Sequence, residues 1–300
     1  MQLQHDAPIL QRAGWGLAAI SYDSDGVLLE FAKRKSIAFP LLSDHESETI
    51  RAYGIADRQY RKGMQLDVYN KELHLYPSGN VPVFGLSYPA VFVITRDHRV
   101  KWRFVSESPE LRLTGAAILE EAVGGIADET RTLVPSRNVQ ITATATNASV
   151  GLGNRIRIAV ELSIPRGLHV YSLEAGSDYK GVSWQMDATD CLEIGEAVYP
   201  KPQSKWMKST GESLPVYEDT LRISREIVVA PVVDSSVFKR FCDRCLDPTS
   251  RIKASGLLTF QACDDERCYP PQTVRPQWRF RFIPPDQQRS PNELLREFER

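Results

Sequence analysis

No cysteine occurs in the first 190 residues of this 300-residue chain; all five lie beyond that point, at 191, 242, 245, 263 and 268. The long N-terminal part therefore supplies no thiolate, which excludes a thiol nucleophile there. Charge bias is also missing: 37 Lys and Arg stand against 38 Asp and Glu, for a net charge of −1. A balance of that kind, with the basic residues scattered, carries no nucleic-acid footprint and no patch for an anionic membrane surface. No apolar run reaches the length of a membrane-spanning helix, so no direct membrane span is expected. The opening Met-Gln-Leu-Gln-His-Asp has no basic region followed by an apolar core, and no secretory signal is visible in it. Histidines are few, and His5, His45 and His98 stand isolated, without the neighbours that a catalytic histidine needs.

What the chain does have is concentrated in one stretch, Gln261-Ala-Cys263-Asp-Asp-Glu-Arg-Cys268-Tyr-Pro-Pro271. Leu258 and Phe260 before it, and Val274, Pro276, Trp278, Phe280 and Phe282 after it, alternate with polar residues. Both flanks read as half-buried strands of period two. A four-residue loop between antiparallel strands sets its flanking residues opposite each other at about 4.5–5.5 Å between Cα atoms, a separation that suits a disulfide. Asp264, Asp265 and Glu266 disfavour a thiolate by like charge and Arg267 opposes them. That balance argues against a fast peroxide-reactive cysteine and fits a cysteine that a partner thiol attacks. A structural staple closing a hairpin is the alternative.

The surrounding residues have the same strand period. Ile156, Ile158, Val160, Leu162 and Ile164 alternate strictly with polar or small residues, and Val139 with Ile141, Val182 with Trp184, and Leu221 with Ile223 add shorter runs. Many short strands punctuated by Gly, Pro and Asn predict an all-β immunoglobulin-like sandwich over 138–284. Gly167-Leu-His-Val-Tyr171, Tyr217-Glu-Asp-Thr-Leu221 and the Cys-Tyr-Pro-Pro ending at Pro271 resemble the N-terminal domain of the DsbD thiol:disulfide interchange proteins. The resemblance implies a periplasmic or extracytoplasmic protein in which Cys263 and Cys268 are the exchanging pair. It implies thioredoxin-like thiol–disulfide partner proteins and no cofactor. A cap loop over the pair then falls within Lys201–Pro215, where Trp206 and Met207 offer apolar cover.

Three cysteines remain. Cys242-Asp-Arg-Cys245 is a possible second redox or structural pair, and Leu246-Asp-Pro248 argues against the long helix that a redox C-x-x-C opens. The run C-x2-C-x17-C-x4-C also approaches a zinc-ribbon spacing, although no metal is the expectation. Cys191, on an apparent strand, is expected as a buried free thiol.

The first part reads as α/β: a helix carrying Leu3, Ala7 and Leu10, a strand over Gly14–Ser21, and a helix capped by Ser24. A strand over Phe39–Leu42, a short helix behind a capping box at Ser43–Glu46 and ended by Gly54, and a hairpin over 91–104 follow, with a last helix near Pro109–Val123. Gly16–Ser21, Phe39–Asp44 and Tyr88-Pro89-Ala-Val-Phe92 resemble the alkyl hydroperoxide reductase/thiol-specific antioxidant group of thioredoxin-like proteins. By that resemblance Pro89 is the candidate cis-proline of the fold, while the family's first strand and its nucleophilic cysteine are missing. The expectation is an incomplete thioredoxin-like domain over 1–125, truncated at its start, then a polar linker over 126–137, the sandwich, and a tail or short helix over 285–300. Residues 55–82 read as an insertion. The functional expectation is a thiol–disulfide relay protein of the cell envelope without peroxidase activity of its own. The alternatives are a non-catalytic adaptor with structural cysteine pairs, and a fragment of a peroxiredoxin-like antioxidant enzyme whose nucleophile lies upstream of Met1.

Overall fold

The computed structural model describes residues 2–57, 86–107, 112–119, 130–207, 211–230 and 235–284. In chain order the first part contains helix α1 (Gln2–Arg12), strand β1 (Ala19–Ser21), helix α2 (Asp25–Lys35), strand β2 (Leu41–Ser43) and helix α3 (Glu48–Ala52). Strands β3 (Ala90–Ile94), β4 (Val100–Val105) and β5 (Arg112–Leu113) and a short helix at Gly115–Leu119 follow.

Helix α1 carries Pro8 inside it and still buries Ala7 and Leu10, the face its spacing indicates. Ser24 caps α2 as expected, its hydroxyl accepting from the Val27 amide at 3.5 Å. Helix α3 is capped differently from the expected box. It begins at Glu48, and the buried Asp44 carboxylate accepts from the Thr49 and Ile50 amides at 3.1 and 2.8 Å. Burial pushes the Asp44 pKa up, but the bonds from Ile50, Thr49 and their neighbours together outweigh it and leave the carboxyl below its ordinary value. Strands β1 and β2 pair in parallel, and β3 and β4 form the expected antiparallel hairpin.

The candidate cis-proline is corrected. No cis peptide bond occurs among the described residues, so Tyr88–Pro89 is trans, as the amide chemistry of most X-Pro bonds favours. Part of the stretch expected as the last helix is a strand instead: Arg112–Leu113 pairs in parallel with Asn154–Arg155, and the described helix begins at Gly115. Most of the expected insertion at 55–82 and the expected C-terminal helix lie outside the described residues.

The second part is built of β6 (Thr130–Val134), β7 (Gln140–Ala145), β8 (Ser149–Val150), β9 (Asn154–Ser163), β10 (His169–Tyr171), β11 (Ser183–Met186) and β12 (Leu192–Ile194). It continues with β13 (Gln203–Met207), β14 (Glu212–Tyr217), β15 (Thr220–Val229), a helix at Ser235–Cys245, β16 (Arg251–Phe260), β17 (Ala262–Cys263), β18 (Gln272–Val274) and β19 (Gln277–Phe282). Part of the expected linker is therefore a strand: β6 pairs antiparallel with β7 along its whole length, and Val134 is buried there.

One sheet runs β12-β15-β9-β7-β6 and faces another that runs β11-β16-β19-β8. Their inner residues, Ile156, Ile158, Val160 and Leu162 of β9 among them, form one continuous core with Trp184, Leu258, Trp278 and Phe280. Alternation puts these apolar side chains inward and Arg157 or Lys253 outward, which is the signature of a sandwich. Trp278 ties the layers together by donating Nε1–H to the Thr144 carbonyl at 2.7 Å while its ring packs on Trp184. Removing an aromatic of this kind typically costs about 3–5 kcal/mol. A third sheet, β13-β14-β10-β17, carries the cysteine hairpin.

Candidate functional site

Cys263 ends β17 and Cys268 stands across from it as an antiparallel bridge, with Cα atoms 4.0 Å apart and the two sulfurs joined. The intervening turn is built by Asp264. Its Oδ1 accepts from the Glu266 and Arg267 amides at 2.9 and 2.8 Å, and the Asp264 amide donates to the Arg267 carbonyl. Those two amides, Glu266 first, hold the Asp264 carboxyl below its usual range. Beyond the turn, the Tyr269 hydroxyl donates to Asp264 Oδ2, and the Arg267 guanidinium stacks over the Tyr269 ring. The Gln261 amide binds the Tyr269 carbonyl at 2.9 Å and closes the neck. The acidic loop is thus only partly a repulsive field: one carboxylate shapes the turn, and Asp265 pairs with Lys205 at 3.3 Å.

The two sulfurs have unequal access. Cys263 is fully buried and Cys268 is exposed. The burial comes from the sheet. His169 of β10 lies opposite Cys263, Tyr171 opposite Val216, Lys205 opposite Leu214 and Met207 opposite Glu212. With a side-chain period of two, these residues share one face. There Cys263 packs with Tyr171, Met207, Leu214 and Val216. Val170, Ala262 and Tyr217 point the other way, into the sandwich core.

The same parity divides the expected cap. Met207 is buried in the cysteine cluster, whereas Trp206 points to the opposite face and is 61% exposed. Trp206 is thus corrected as a cover, because adjacent residues of a strand cannot both face the same side. The tip of this hairpin, residues 208–210, lies outside the described residues.

Further cover comes from a loop that the sequence reading missed. The chain leaves the sheet at Ser172 and returns at Val182, whose amide donates to the Tyr171 carbonyl at 2.8 Å. Tyr179 in this loop packs its ring on Tyr171 at 4.7 Å between centroids, and its hydroxyl donates to Glu212. Gly181 allows the closure, because a Cβ there would sit 2.7 Å from the Ser172 carbonyl oxygen. Alternation in Gly167–Tyr171 does place His169 beside Tyr171, but no local pattern announces Tyr179 or Lys205.

The other cysteines are arranged differently from expectation. Cys245 is joined to Cys191, with Cα atoms 5.6 Å apart, so Cys191 is not a free thiol and Cys242–Cys245 is not a pair. Cys242 is the free cysteine, and burial, then Asp243, pushes its thiol pKa up. Both Cys242 and Cys245 lie on the helix Ser235–Cys245, and the end of that helix meets the segment leading into β12, which brings Cys245 to Cys191. Phe241 holds that helix on the core by packing against Phe282. With four cysteines committed to two disulfides, the zinc-ribbon spacing is not assembled. No cluster of three or more metal-ligating side chains occurs among the described residues. No helix among them is long and apolar enough to cross a membrane.

Two family models match the chain. Residues 1–103 match the AhpC/TSA family, which is thioredoxin-like, and residues 137–276 match the N-terminal domain of the thiol:disulfide interchange protein DsbD, an immunoglobulin-like sandwich. The reduced N-terminal domain of DsbD from Neisseria meningitidis is 17% identical, with 49% of this chain and 89% of that one covered and a TM-score of 0.28. The N-terminal periplasmic domain of ScsB from Proteus mirabilis is 16% identical, with 50% of each chain covered and a TM-score of 0.31. No curated protein sequence matches. The family matches and the two disulfides together support a role in thiol–disulfide exchange.

Proposed function

We propose that this chain is a thiol–disulfide relay protein of the cell envelope that passes an electron pair through Cys263 and Cys268. The observation that carries this reading is the unequal access of the two sulfurs on a short hairpin, one exposed and one buried. A partner thiolate reaches only the Cys268 sulfur. Its attack forms a mixed disulfide and expels Cys263 as the thiolate. The partner's second thiolate then attacks the partner sulfur of that mixed disulfide, releasing Cys268 and leaving the partner oxidised. Two electrons have moved from the partner dithiol to the pair, and the reverse sequence passes them on. Partners of the thioredoxin-like kind fit this scheme.

The division into a redoxin-like unit over 1–125 and a DsbD-like sandwich over 138–284 goes with it. In this reading residues 1–125, which hold no cysteine, contribute no peroxidase activity of their own to the chain as given. The DsbD match and the persistence of disulfides in oxidising compartments support a periplasmic or other extracytoplasmic location. The Cys191–Cys245 bond, by contrast, favours a structural role for that pair.

Equilibration in glutathione and dithiothreitol buffers, with thiol alkylation and peptide mapping, tests the relay. The Cys263–Cys268 pair is expected to be reduced where thioredoxin-type disulfides are, at about −270 mV. A pair that stays oxidised there sinks the reading. A Cys263→Ser variant is expected to trap mixed disulfides through Cys268.

A further inference from the structure

The exchange just described leaves its hardest task at the buried end. Expelling Cys263 creates a thiolate at a position with no access to water, and an unpaired buried charge is strongly disfavoured. Directly opposite Cys263, on the same face, stands His169, itself fully buried. Its Nδ1 is 3.5 Å from the Lys205 ammonium, which has donors only. Nδ1 is therefore the acceptor, and the ring proton sits on Nε2. That nitrogen is buried and has no hydrogen-bond partner.

The charged surroundings fix this tautomer. Lys205, on β13, is held by Glu218, next to β14, at 2.8 Å and by Asp265, in the hairpin, at 3.3 Å. Asp264 lies in the same hairpin, and Tyr171 packs edge-on against the imidazole from its own strand. Burial, and then Lys205, disfavours protonation of His169, so the ring is neutral.

We propose that His169 is the positioning residue for the buried half of the exchange, its Nε2–H taking the Cys263 sulfur as acceptor when the Cys263–Cys268 bond opens. The inference rests on the relay reading for its purpose, though not for its geometry. In the oxidised protein the buried Nε2 donor has no hydrogen-bond partner. Breaking the bond puts negative charge on Cys263 and completes the hydrogen bond. His169 transfers no proton. It stabilises the leaving thiolate, which raises the reduction potential of the pair and speeds attack on Cys268.

The test uses the full chain with Cys242→Ser, which removes the free thiol. His169→Phe deletes the donor, and His169→Gln keeps a side-chain N–H. His169→Phe is expected to slow opening of the pair by dithiothreitol about tenfold, and His169→Gln to recover most of the rate. Separately, with Cys268→Ser, the ionisation of Cys263 is followed by NMR of 13Cβ-labelled cysteine. His169→Phe is expected to move it up by about one pH unit. If the titrations of parent and His169→Phe coincide, or if His169→Gln behaves like His169→Phe in both measurements, the inference is overturned. Should the parent pair resist dithiothreitol altogether, the relay reading fails, and the Cys263 titration still decides the role of His169.

Discussion

The two disulfides of this molecule differ in almost every respect that sets what a disulfide does. Cys191–Cys245 joins residues 54 apart in sequence and fastens a helix to the strand edge beside the sandwich core. Cys263–Cys268 joins residues 5 apart, across a turn that is already held by Asp264, Gln261 and Tyr269. The long link constrains a large part of the unfolded chain. The short one constrains little and leaves one sulfur on the surface. Linkage over a long loop is how a disulfide stabilises, whereas uneven access is how one exchanges.

The largest expected effect is on stability. Replacing Cys191 and Cys245 by Ser should cost about 4 kcal/mol on the loop-entropy relation, against about 2 kcal/mol for Cys263 and Cys268. Urea unfolding, with m fitted separately for each variant, measures both. Equal losses would erase the distinction between clamp and exchanging pair.

A smaller effect sharpens the description of the cover. Met207→Ala should speed reduction of the Cys263–Cys268 pair severalfold by loosening the packing around Cys263, while Trp206→Ala should leave the rate unchanged. The stopped-flow time course with dithiothreitol reads this. Acceleration by Trp206→Ala alone would reverse the assignment.

The smallest effect is in the pH dependence. The pKa of His169 lies below its ordinary value of 6.5 in the folded protein. Below pH 6.5 the unfolded chain takes up a proton that the folded chain refuses, so stability present above that pH is lost as the pH falls toward the folded pKa. His169→Gln should flatten this part of the stability profile, as followed by thermal unfolding between neutral and mildly acid pH. A profile as steep as the parent's would place the titrating group elsewhere.

Much of the site was legible in the residues. The alternating flanks of Gln261–Pro271 announced a hairpin, and the spacing of Cys263 and Cys268 announced their juxtaposition. Strict alternation in Arg155–Ile164 became the central strand of a sheet, with Ile156, Ile158, Val160 and Leu162 buried. The partner of Cys245 was not legible, because a C-x-x-C motif weighs only its own neighbours and Cys191 lies 54 residues away. The strand at Thr130–Val134 was hidden for a related reason. Its polar residues lie on an edge and are exposed, so the segment carries little apolar signal.

The sequence by itself determined the period of the strands, the place of the acidic hairpin and the absence of any thiol from residues 1–190. These are local properties, set by residue type and by the two-residue repeat of an extended chain. Only the tertiary structure decided which cysteine joins Cys191, which of Trp206 and Met207 faces the site, and that His169 stands against Cys263 with a buried nitrogen unpaired. Each of these depends on register between strands or on contact between segments far apart in the chain. A shift of one residue reverses every side chain of a strand, and no local pattern fixes the register of β10 against β17.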